Sequence, residues 1–228
     1  MKGCCIVTGA ASGIGSATMV RLVADGWTVI GWDVAEPGAA GNWIRVDVSD
    51  ALQVAAAWRA AECVGSVTGL VCAAGIFRIG SLDEADWTEL LRVIDVNLIG
   101  TMLVCRSALG AMRRTGGRIV TIASLAALRA PKVPCAAYAA SKGGVLAFSR
   151  ALAVEGGAAG VRVNCIAPGP IETPLLTNVT TPEQLATYSR QSSQGRIGTP
   201  MEVANTIAWL LSDEASLVHG ATIEVAAG

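Results

Sequence analysis

The sequence predicts an α/β domain in which helices cover both faces of a mostly parallel, seven-stranded sheet. Seven short apolar runs alternate with segments that are mostly of helix length, as parallel crossovers require. A glycine-rich turn directly follows the first run, and 52% of the 228 residues are apolar, which is enough for a sizeable core. Because we find no repeat, low-complexity tract or linker, residues 1–228 are predicted to form one domain.

The apolar runs are short and rich in Val, Ile and Leu. Such runs are typical of strands that are buried on both faces of a sheet. In an open parallel sheet, ligands bind beyond the carboxyl ends of the strands. The predicted strands lie at about residues 3–8, 27–32, 42–46, 67–72, 117–123, 161–166 and 221–225.

The first predicted strand leads into a turn, residues 8–15, and then into a helix-like stretch that runs to Asp25. Glycines at positions 9, 13 and 15 let the backbone turn sharply and approach a ligand, and the first N–H groups of the helix suit a pyrophosphate. The spacing is Gly-x-x-x-Gly-x-Gly, which differs from the common Gly-x-Gly-x-x-Gly dinucleotide fingerprint. A tight turn without a ligand therefore remains the alternative.

Asp33 ends the second predicted strand, eighteen residues beyond Gly15. A carboxylate at this place can accept hydrogen bonds from a ribose 2′-OH and would repel a 2′-phosphate. No Arg or Lys lies in the glycine turn or directly after Asp33 to offset that repulsion. The sequence therefore favours NAD over NADP, unless Asp33 merely ends the strand.

Tyr138 and Lys142 are four residues apart in the run Tyr-Ala-Ala-Ser-Lys, so a helix places both on one face. A free phenol titrates near pH 10, and a neighbouring ammonium group is expected to lower its pKa towards the range useful for acid/base catalysis. By spacing alone, a solvated helix edge would explain the pair equally well.

Together with these features, several further short motifs occur in a definite order and spacing. The chain resembles the short-chain dehydrogenase/reductase family, in its compact single-domain branch, from about Gly3 to Gly228. The resemblance implies a Rossmann-like, doubly wound sheet. It is carried by Thr8-Gly9-Ala10-Ala11-Ser12-Gly13-Ile14-Gly15, Asp47-Val48, Asn97, Ser124, Tyr138-Ala-Ala-Ser-Lys142, Asn164 and Pro168-Gly169-Pro170-Ile171-Glu172-Thr173-Pro174.

The resemblance also implies catalytic roles within a segment that spans residues 124–142. Tyr138 would be the acid/base, and Lys142 would lower its pKa and bind the nicotinamide ribose. Ser124 would hold the carbonyl or alkoxide oxygen, and Asn97 would organise a water-linked proton relay to the lysine. For two of these residues a structural role is the alternative, namely a helix cap for Ser124 and a buried turn for Asn97.

Cofactor contacts are implied in the same way. Asp47 and Val48 match adenine contacts, and Ile171 with Thr173 matches contacts to the carboxamide. No metal is expected. The full set of expected NAD-binding residues is Gly9, Ser12, Gly13, Ile14, Gly15, Asp33, Asp47, Val48, Ala74, Gly75, Tyr138, Lys142, Pro168, Gly169, Ile171 and Thr173.

The chain departs from the family pattern at three places. Cys72-Ala73-Ala74-Gly75 stands where the family usually has Asn-Asn-Ala-Gly, which leaves the local rigidity in question. Ser124 lies 14 residues before Tyr138, one more than is usual, so the loop 125–137 is enlarged. The chain ends in Val-Ala-Ala-Gly where Val-Asp-Gly-Gly is common. Residues 175–198 look polar and helix-poor, and the resemblance makes about 171–198 a substrate lid.

Charge and cysteine content narrow the partners and the compartment. A net charge of −1 gives no basic footprint for nucleic acid, so small-molecule partners are expected. No segment indicates a membrane span or a cleaved signal. Seven scattered cysteines indicate buried free thiols in a reducing cytoplasm. The resemblance implies a homo-oligomer, either a tetramer or a dimer.

Three functions follow from this pattern. The first is an NAD-dependent oxidoreductase that interconverts a secondary alcohol, such as a cyclic diol or hydroxyacid, and its ketone. The second is a non-catalytic nucleotide-binding member, and the third is a 3-oxoacyl-thioester reductase, which usually uses NADPH. Three cationic residues lie near the expected pocket: Arg129, Lys132 and Arg78. They could bind an anionic group of the substrate, and the alternative is that they are solvated loop charges.

Overall fold

The computed structural model describes residues 3–35 and 42–228. Seven strands form one sheet in the order β3-β2-β1-β4-β5-β6-β7, and every pairing between neighbouring strands is parallel. The predicted sheet is therefore confirmed, with each strand close to its expected place. The strands are β1 (Cys4–Thr8), β2 (Thr28–Asp33), β3 (Asn42–Arg45), β4 (Val67–Cys72), β5 (Gly117–Ile122), β6 (Val161–Pro168) and β7 (Thr222–Val225).

Helices connect the strands and lie on both faces of the sheet. The α3 helix continues through one π-helical turn, Asp95–Ile99, into α4. The helices are α1 (Gly13–Ala24), α2 (Ala51–Val64), α3 (Trp87–Ile94), α4 (Gly100–Met112), α5 (Ala136–Gly157), α6 (Pro174–Thr177), α7 (Pro182–Gln191) and α8 (Pro200–Leu211).

Two large apolar clusters fill the space between the sheet and its helices. Along β1, Cys4 and Ile6 face the cluster that contains residues of α2, α4 and α5, whereas Cys5 and Val7 face the cluster under α1 and α8. Successive side chains of a strand point to opposite faces, so a strand that is covered on both sides needs an uninterrupted apolar run. This explains the pattern from which the strands were predicted.

The strand order reverses direction at β1, which lies between β2 and β4. In such sheets the loops on either side of the reversal separate and leave a crevice at the carboxyl ends of the strands. β1 ends at Thr8 and β2 ends at Asp33 on one side of this crevice, and β4 ends at Cys72 on the other side. The fold thus brings the glycine turn and Asp33 to the same edge as the loop after β4.

The expectation that residues 175–198 are helix-poor is wrong. This segment contains most of α6 and all of α7. Pro182 occupies the first turn of α7, and Thr181 and Gln184 form a reciprocal capping box, in which each side chain accepts a hydrogen bond from the other's backbone N–H. The capping box and Pro182 stabilise the start of a helix whose polar residues face solvent. The low apolar content of the segment therefore did not mean that it is a loop.

The helical run Trp87–Met112 is long and apolar enough to cross a membrane by length and composition alone. Half of the most apolar 18-residue stretch of this run is buried inside the fold, where Val104, Cys105 and Ala108 pack into the core. A buried core helix of a globular domain meets the same criterion. The run therefore does not indicate a membrane protein.

The seven cysteines are all free thiols. Six are buried, as predicted, and Cys63 on α2 is exposed. The Sγ atoms of Cys72 and Cys105 lie 3.7 Å apart in the core between β4 and α4. The pKa of the Cys105 thiol is raised well above its usual value by the hydrogen bond with Cys72 and by burial, so these sulfurs behave as apolar core groups.

Candidate active site

The glycine turn packs directly against the segment that follows β4. Gly9 has a φ of +66°, and a Cβ at this position would lie 2.7 Å from the carbonyl oxygen of Ala73. The backbone N–H of Ala74 donates to the Thr8 hydroxyl at 3.1 Å, which ties the two segments together. Gly9 therefore has both a conformational and a steric reason to be glycine.

Substituting Gly9 by Ala is expected to lower the melting temperature by at least several degrees, because the new Cβ meets backbone atoms in a left-handed conformation. Gly110→Ala is the matched control, since Gly110 lies on α4 with open space around its Cα and Ala is the better helix former. Thermal unfolding of both variants checks the prediction. A Gly9→Ala variant as stable as Gly110→Ala would contradict it.

The N-terminus of α1 faces the crevice without an acidic residue in its first turn. Ser12 is the N-cap residue, its side chain makes no capping hydrogen bond, and it is exposed. Gly13 adopts a φ of +51°, and Gly15 is buried against the turn. Free backbone N–H groups, the positive end of the helix dipole and an available hydroxyl together suit a phosphate group.

Asp33 is held in a fixed position beside this turn. One carboxylate oxygen accepts from the Ala11 N–H at 3.0 Å, and the other accepts from the Ala35 N–H at 3.0 Å. A carboxylate can accept about four hydrogen bonds, so both oxygens retain capacity for a ligand. Asp33 is thus placed where two neighbouring hydroxyl groups could bind it.

Asp47 and Val48 follow β3 on the same side of the crevice. The carboxylate of Asp47 accepts from the backbone N–H and the hydroxyl of Ser49, and Arg92 lies 3.1 Å from its other oxygen. Partial burial alone would raise the pKa of Asp47, but these hydrogen bonds and the Arg92 charge outweigh it and lower the pKa. Val48 is buried. Asp47 and Val48 therefore offer one charged and one apolar contact to a ligand in the crevice.

Asn97 lies in the π-helical turn and is fully buried. Its side-chain oxygen accepts from the Ile76 N–H at 2.8 Å, and its amide group donates to the Ile76 carbonyl and to the Ser141 hydroxyl, both at 3.0 Å. These bonds clamp the loop after β4 onto α5. They hold the backbone at Ile76, three residues beyond the position at which Ala73 stands in place of the family asparagine.

Tyr138 and Lys142 share one face of α5, as the spacing predicts. The Nζ atom of Lys142 lies 5.9 Å from the centroid of the Tyr138 ring and donates a 2.8 Å hydrogen bond to the carbonyl oxygen of Ile122, at the end of β5. Lys142 is buried, with only 5% of its surface exposed. This excludes the solvated helix edge that spacing alone left open.

Burial changes the proton affinities of both groups. It raises the pKa of Tyr138 to about 12, although a hydrogen bond with the Ser124 hydroxyl acts in the opposite direction. Burial also lowers the pKa of Lys142 to about 8. The expectation that the pKa of Tyr138 lies below its usual value is therefore not met, because desolvation of the phenol dominates.

Ser124 precedes a short 3₁₀ turn, Leu125–Ala127, and its hydroxyl also accepts from the Ala126 N–H at 3.2 Å. The cap that was considered as the alternative role thus exists together with the hydrogen bond to Tyr138. The cap fixes the hydroxyl beside the phenol. Ser124 and Tyr138 therefore point to one location at the floor of the cavity.

The segment after β6 closes the other side of the crevice. Ile171 pairs with Gly198 in an isolated parallel bridge, and Thr173 is buried against Gly13 of the glycine turn. Pro168 and Gly169 begin the segment and line the same cavity. The expected carboxamide contacts therefore lie next to the expected pyrophosphate site.

A cavity of about 300 Å³ lies between the expected catalytic residues of segment 124–142 and the segment after β6, whereas Asp33, Asp47, Val48 and Asn97 do not line it. Its walls include the predicted residues Ile14, Gly75, Ser124, Tyr138 and Lys142. Several lining residues were not predicted. Phe77 packs its ring on Tyr138, with centroids 4.6 Å apart, and had no signal beyond being an aromatic residue near Gly75. Four more lie on α6 and α7, where no helix was predicted: Leu175, Leu176, Tyr188 and Gln191.

The residues present fit a nicotinamide dinucleotide. The glycine cradle and the N-terminus of α1 suit the pyrophosphate, the free capacity of Asp33 suits a ribose diol, and the buried ammonium of Lys142 has donors left for a second ribose. The cavity beside Ser124 and Tyr138 leaves room for a small substrate. Fold and site together define an oxidoreductase that uses a nicotinamide cofactor.

Comparison with known proteins gives the family. The family described as "Enoyl-(Acyl carrier protein) reductase" matches residues 9–228. The chain is 39% identical over 240 residues to the cis-4-hydroxycyclohexanecarboxylate dehydrogenase of Sinomonas cyclohexanicum, which covers 98% of this chain and 94% of that protein. It is 35% identical to the 3-alpha-(or 20-beta)-hydroxysteroid dehydrogenase of Mycobacterium tuberculosis, with 98% and 87% covered.

Solved structures agree with these relatives. The aldohexose dehydrogenase of Thermoplasma acidophilum has a TM-score of 0.93 and 33% identity, and the match covers 99% of this chain and 92% of that one. Levodione reductase has a TM-score of 0.91 and 31% identity, with 99% and 96% covered. The chain belongs to the short-chain dehydrogenase/reductase family, and it is an oxidoreductase that interconverts secondary alcohols and ketones.

Proposed function

We propose that the chain is an NAD-dependent dehydrogenase that interconverts a cyclic secondary alcohol and its ketone, as a single NAD-binding catalytic domain. One observation carries this proposal: Ser124, Tyr138 and Lys142 line one cavity, and the Nζ atom of the buried Lys142 lies 5.9 Å from the centroid of the Tyr138 ring. The names of several relatives describe ring substrates, including a hydroxycyclohexanecarboxylate, a hydroxysteroid and a cyclohexadiene diol.

Ser124 and Tyr138 would act on one substrate oxygen. Two hydroxyl donors polarise a carbonyl oxygen, and the phenol supplies its proton during ketone reduction. In alcohol oxidation the same phenolate accepts the hydroxyl proton. The bound nicotinamide supplies or takes the hydride. Because burial favours the protonated phenol, alcohol oxidation is expected to become faster as the pH rises.

Lys142 would act against the effect of burial on Tyr138. Its positive charge favours the phenolate, and its remaining donors suit the nicotinamide ribose. Asn97 fixes the backbone beside Gly75 and the α5 helix through its three hydrogen bonds. Its water-linked proton relay to Lys142 stays a prediction.

Asp33 would select NAD. Its two oxygens are fixed by the Ala11 and Ala35 N–H groups at the end of β2, and this placement supports hydrogen bonds from both adenosine ribose hydroxyls. A 2′-phosphate would meet the same negative charge at close range. Asp47 and Val48 would contact the adenine, and Ile171 with Thr173 would contact the carboxamide.

A 3-oxoacyl-thioester reductase is the second candidate, because the description of the matching family, enoyl-(acyl carrier protein) reductase, also names an acyl-thioester substrate. Asp33 opposes the NADPH that such enzymes usually need. Measuring initial rates with NAD and NADP on a panel of cyclic alcohols, and with NADPH on 3-oxoacyl thioesters, separates the two. Faster NADPH-dependent reduction of thioesters would overturn the first proposal, and no reaction with any substrate would favour a non-catalytic role.

We also infer that the chain forms a homo-oligomer in the cytoplasm. Trp87 on α3 and Val154 on α5 are 67% and 82% exposed, and Leu91, Ile99 and Met102 are exposed on the same helical run as Trp87. Large exposed apolar side chains often mark protein interfaces. Free thiols, including the exposed Cys63, are compatible with a reducing compartment.

Replacing Lys142 by Met is expected to shift the rise in the alcohol-oxidation rate to higher pH. The substitution removes the positive charge and keeps similar length, so the phenolate of Tyr138 loses its nearest cation and becomes harder to form. The pH profile of kcat at saturating NAD measures this shift. Arg150→Met is the control, because Arg150 is an exposed cation on the same helix.

The Arg150→Met profile should overlay that of the parent protein. A Lys142→Met profile that also overlays the parent would show that Lys142 does not influence the tyrosine. An unchanged kcat profile with a raised KM for NAD would assign the lysine to cofactor binding alone.

A further inference from the structure

The outer part of the cavity carries positive charge. Arg129, Lys132 and Arg196 line it, whereas no Asp or Glu side chain does so within the described part of the chain. These three cations come from the loop after β5 and from the segment between α7 and α8, so the fold brings them together from distant parts of the sequence. The charge at this end of the cavity depends on which of them are already neutralised.

Two of the three cations are paired with carboxylates that lie outside the cavity lining. The guanidinium of Arg129 lies 2.5 Å from Glu224 of β7. Arg196 donates to both carboxylate oxygens of Glu202, at 2.7 and 2.9 Å. In both pairs the positive charge of the arginine is balanced by a neighbouring carboxylate, so these groups add little net charge to the rim.

Lys132 differs from both arginines. Its ammonium group donates to the side-chain oxygen of Gln191, on α7, and an amide oxygen is neutral. Gln191 therefore fixes the position of the charge without cancelling it. Arg78, the other cation that the sequence placed near the pocket, pairs with Glu89 and does not line this cavity.

We propose that Lys132, positioned by Gln191, binds a carboxylate group on the substrate at the end away from the reacting carbon. This inference rests on the proposed function and names its substrate class: a cyclic secondary alcohol or ketone that also carries a carboxylate. Ser124 and Tyr138, which are partly buried in the cavity lining, would hold the reacting oxygen, and Lys132, which is an exposed lining residue, would hold the carboxylate. Two anchored ends orient the ring between them.

A carboxylate gains a charge-assisted hydrogen bond from Lys132, and a carboxamide of almost the same shape does not. The lysine is exposed, so solvent and salt weaken the contact relative to a buried one. A matched pair of substrates therefore isolates the charge. Suitable probes are 4-hydroxycyclohexanecarboxylate and 4-hydroxycyclohexanecarboxamide, with cyclohexanol as a neutral reference.

The experiment compares kcat/KM for the three alcohols in the parent protein and in variants. The parent should prefer the carboxylate over the carboxamide by about 10-fold, mainly through KM. Lys132→Met should remove this preference, and Lys132→Arg should restore most of it. Arg59→Met is the control, because it removes one exposed positive charge on α2, away from the cavity.

Inhibition provides a readout that does not depend on turnover of the probe. Cyclohexanecarboxylate lacks the hydroxyl group and should compete with cyclohexanol more strongly than cyclohexanecarboxamide does. Added salt should weaken the inhibition by the carboxylate and leave that by the carboxamide unchanged. Lys132→Met should make the two inhibitors equal.

The outcomes separate the two proposals. If cyclohexanol is oxidised and the carboxylate has no advantage over the carboxamide, Lys132 is a solvated loop charge and the inference is overturned. If the preference persists in Lys132→Met, another group binds the carboxylate. If no alcohol is oxidised with NAD while cyclohexanecarboxylate still inhibits thioester reduction through Lys132, the proposed function fails and the anion site stands.

Discussion

Replacing Tyr138 by Phe is expected to lower kcat for alcohol oxidation at least about 100-fold, while the affinity for NAD changes little. The substitution removes the phenolic hydroxyl that the proposal makes the acid/base, in the cavity that Ser124 and Lys142 also line. The ring keeps its contact with Phe77, so the fold and the cavity walls should survive. Steady-state kinetics and NAD titration by tryptophan fluorescence measure the two quantities.

The chain offers a matched control for this variant. Tyr188, its second tyrosine, lines the same cavity from α7, so Tyr188→Phe removes the same atom from the same space. We expect Tyr188→Phe to keep kcat within a few-fold of the parent. The assignment fails if Tyr138→Phe retains more than about a tenth of the parent activity, because a positioned acid/base contributes more than that.

The second large effect concerns the choice of cofactor. The parent should prefer NAD to NADP by roughly 30- to 1000-fold in kcat/KM, since the 2′-phosphate loses the ribose bonds to Asp33 and meets its charge, together ~2 to 4 kcal/mol. Replacing Asp33 by Ser and introducing Arg at Val34 should narrow or reverse this preference. Val34 is half exposed beside the site, so an arginine there can reach a phosphate.

Asp33 also accepts from the Ala11 and Ala35 N–H groups, so its loss will cost some stability. Thermal unfolding separates this loss from the change in specificity. Val34→Arg alone is the control, because it adds the phosphate partner and leaves the repulsion in place, and it should still prefer NAD. A parent that prefers NADP would contradict the assignment of Asp33 and support the thioester reductase.

The sheet was predictable from sequence because a strand that is buried on both faces needs a continuous apolar run, and β1 is such a run. The α7 helix was not predicted, because its residues are polar and its stability comes from the capping box of Thr181 and Gln184. A capping box is a short local signal. It was missed because α7 has few apolar residues, so the segment did not suggest a helix.

The sequence predicted many residues of the site, but it did not predict the direction of their pKa shifts or which charges are paired. Spacing placed Tyr138 and Lys142 on one face of α5, and it could not show that both are buried, which sets the direction of their pKa shifts. Ion pairs between residues that are far apart in the sequence could not be predicted either. Arg129 and Glu224 are 95 residues apart, so only the fold shows that Arg129 is paired with a carboxylate while Lys132 is bonded to a neutral amide oxygen.

The most direct test of the central claim is to follow the hydride. The protein is mixed with NAD and a cyclic secondary alcohol that carries deuterium on the carbinol carbon, and the cofactor and the product are analysed by mass spectrometry. The account predicts a ketone and a reduced nicotinamide that contains the deuterium, with neither product formed by Tyr138→Phe. Deuterium that stays on the alcohol in the parent protein, with no reduced nicotinamide for any alcohol of the panel, would contradict it.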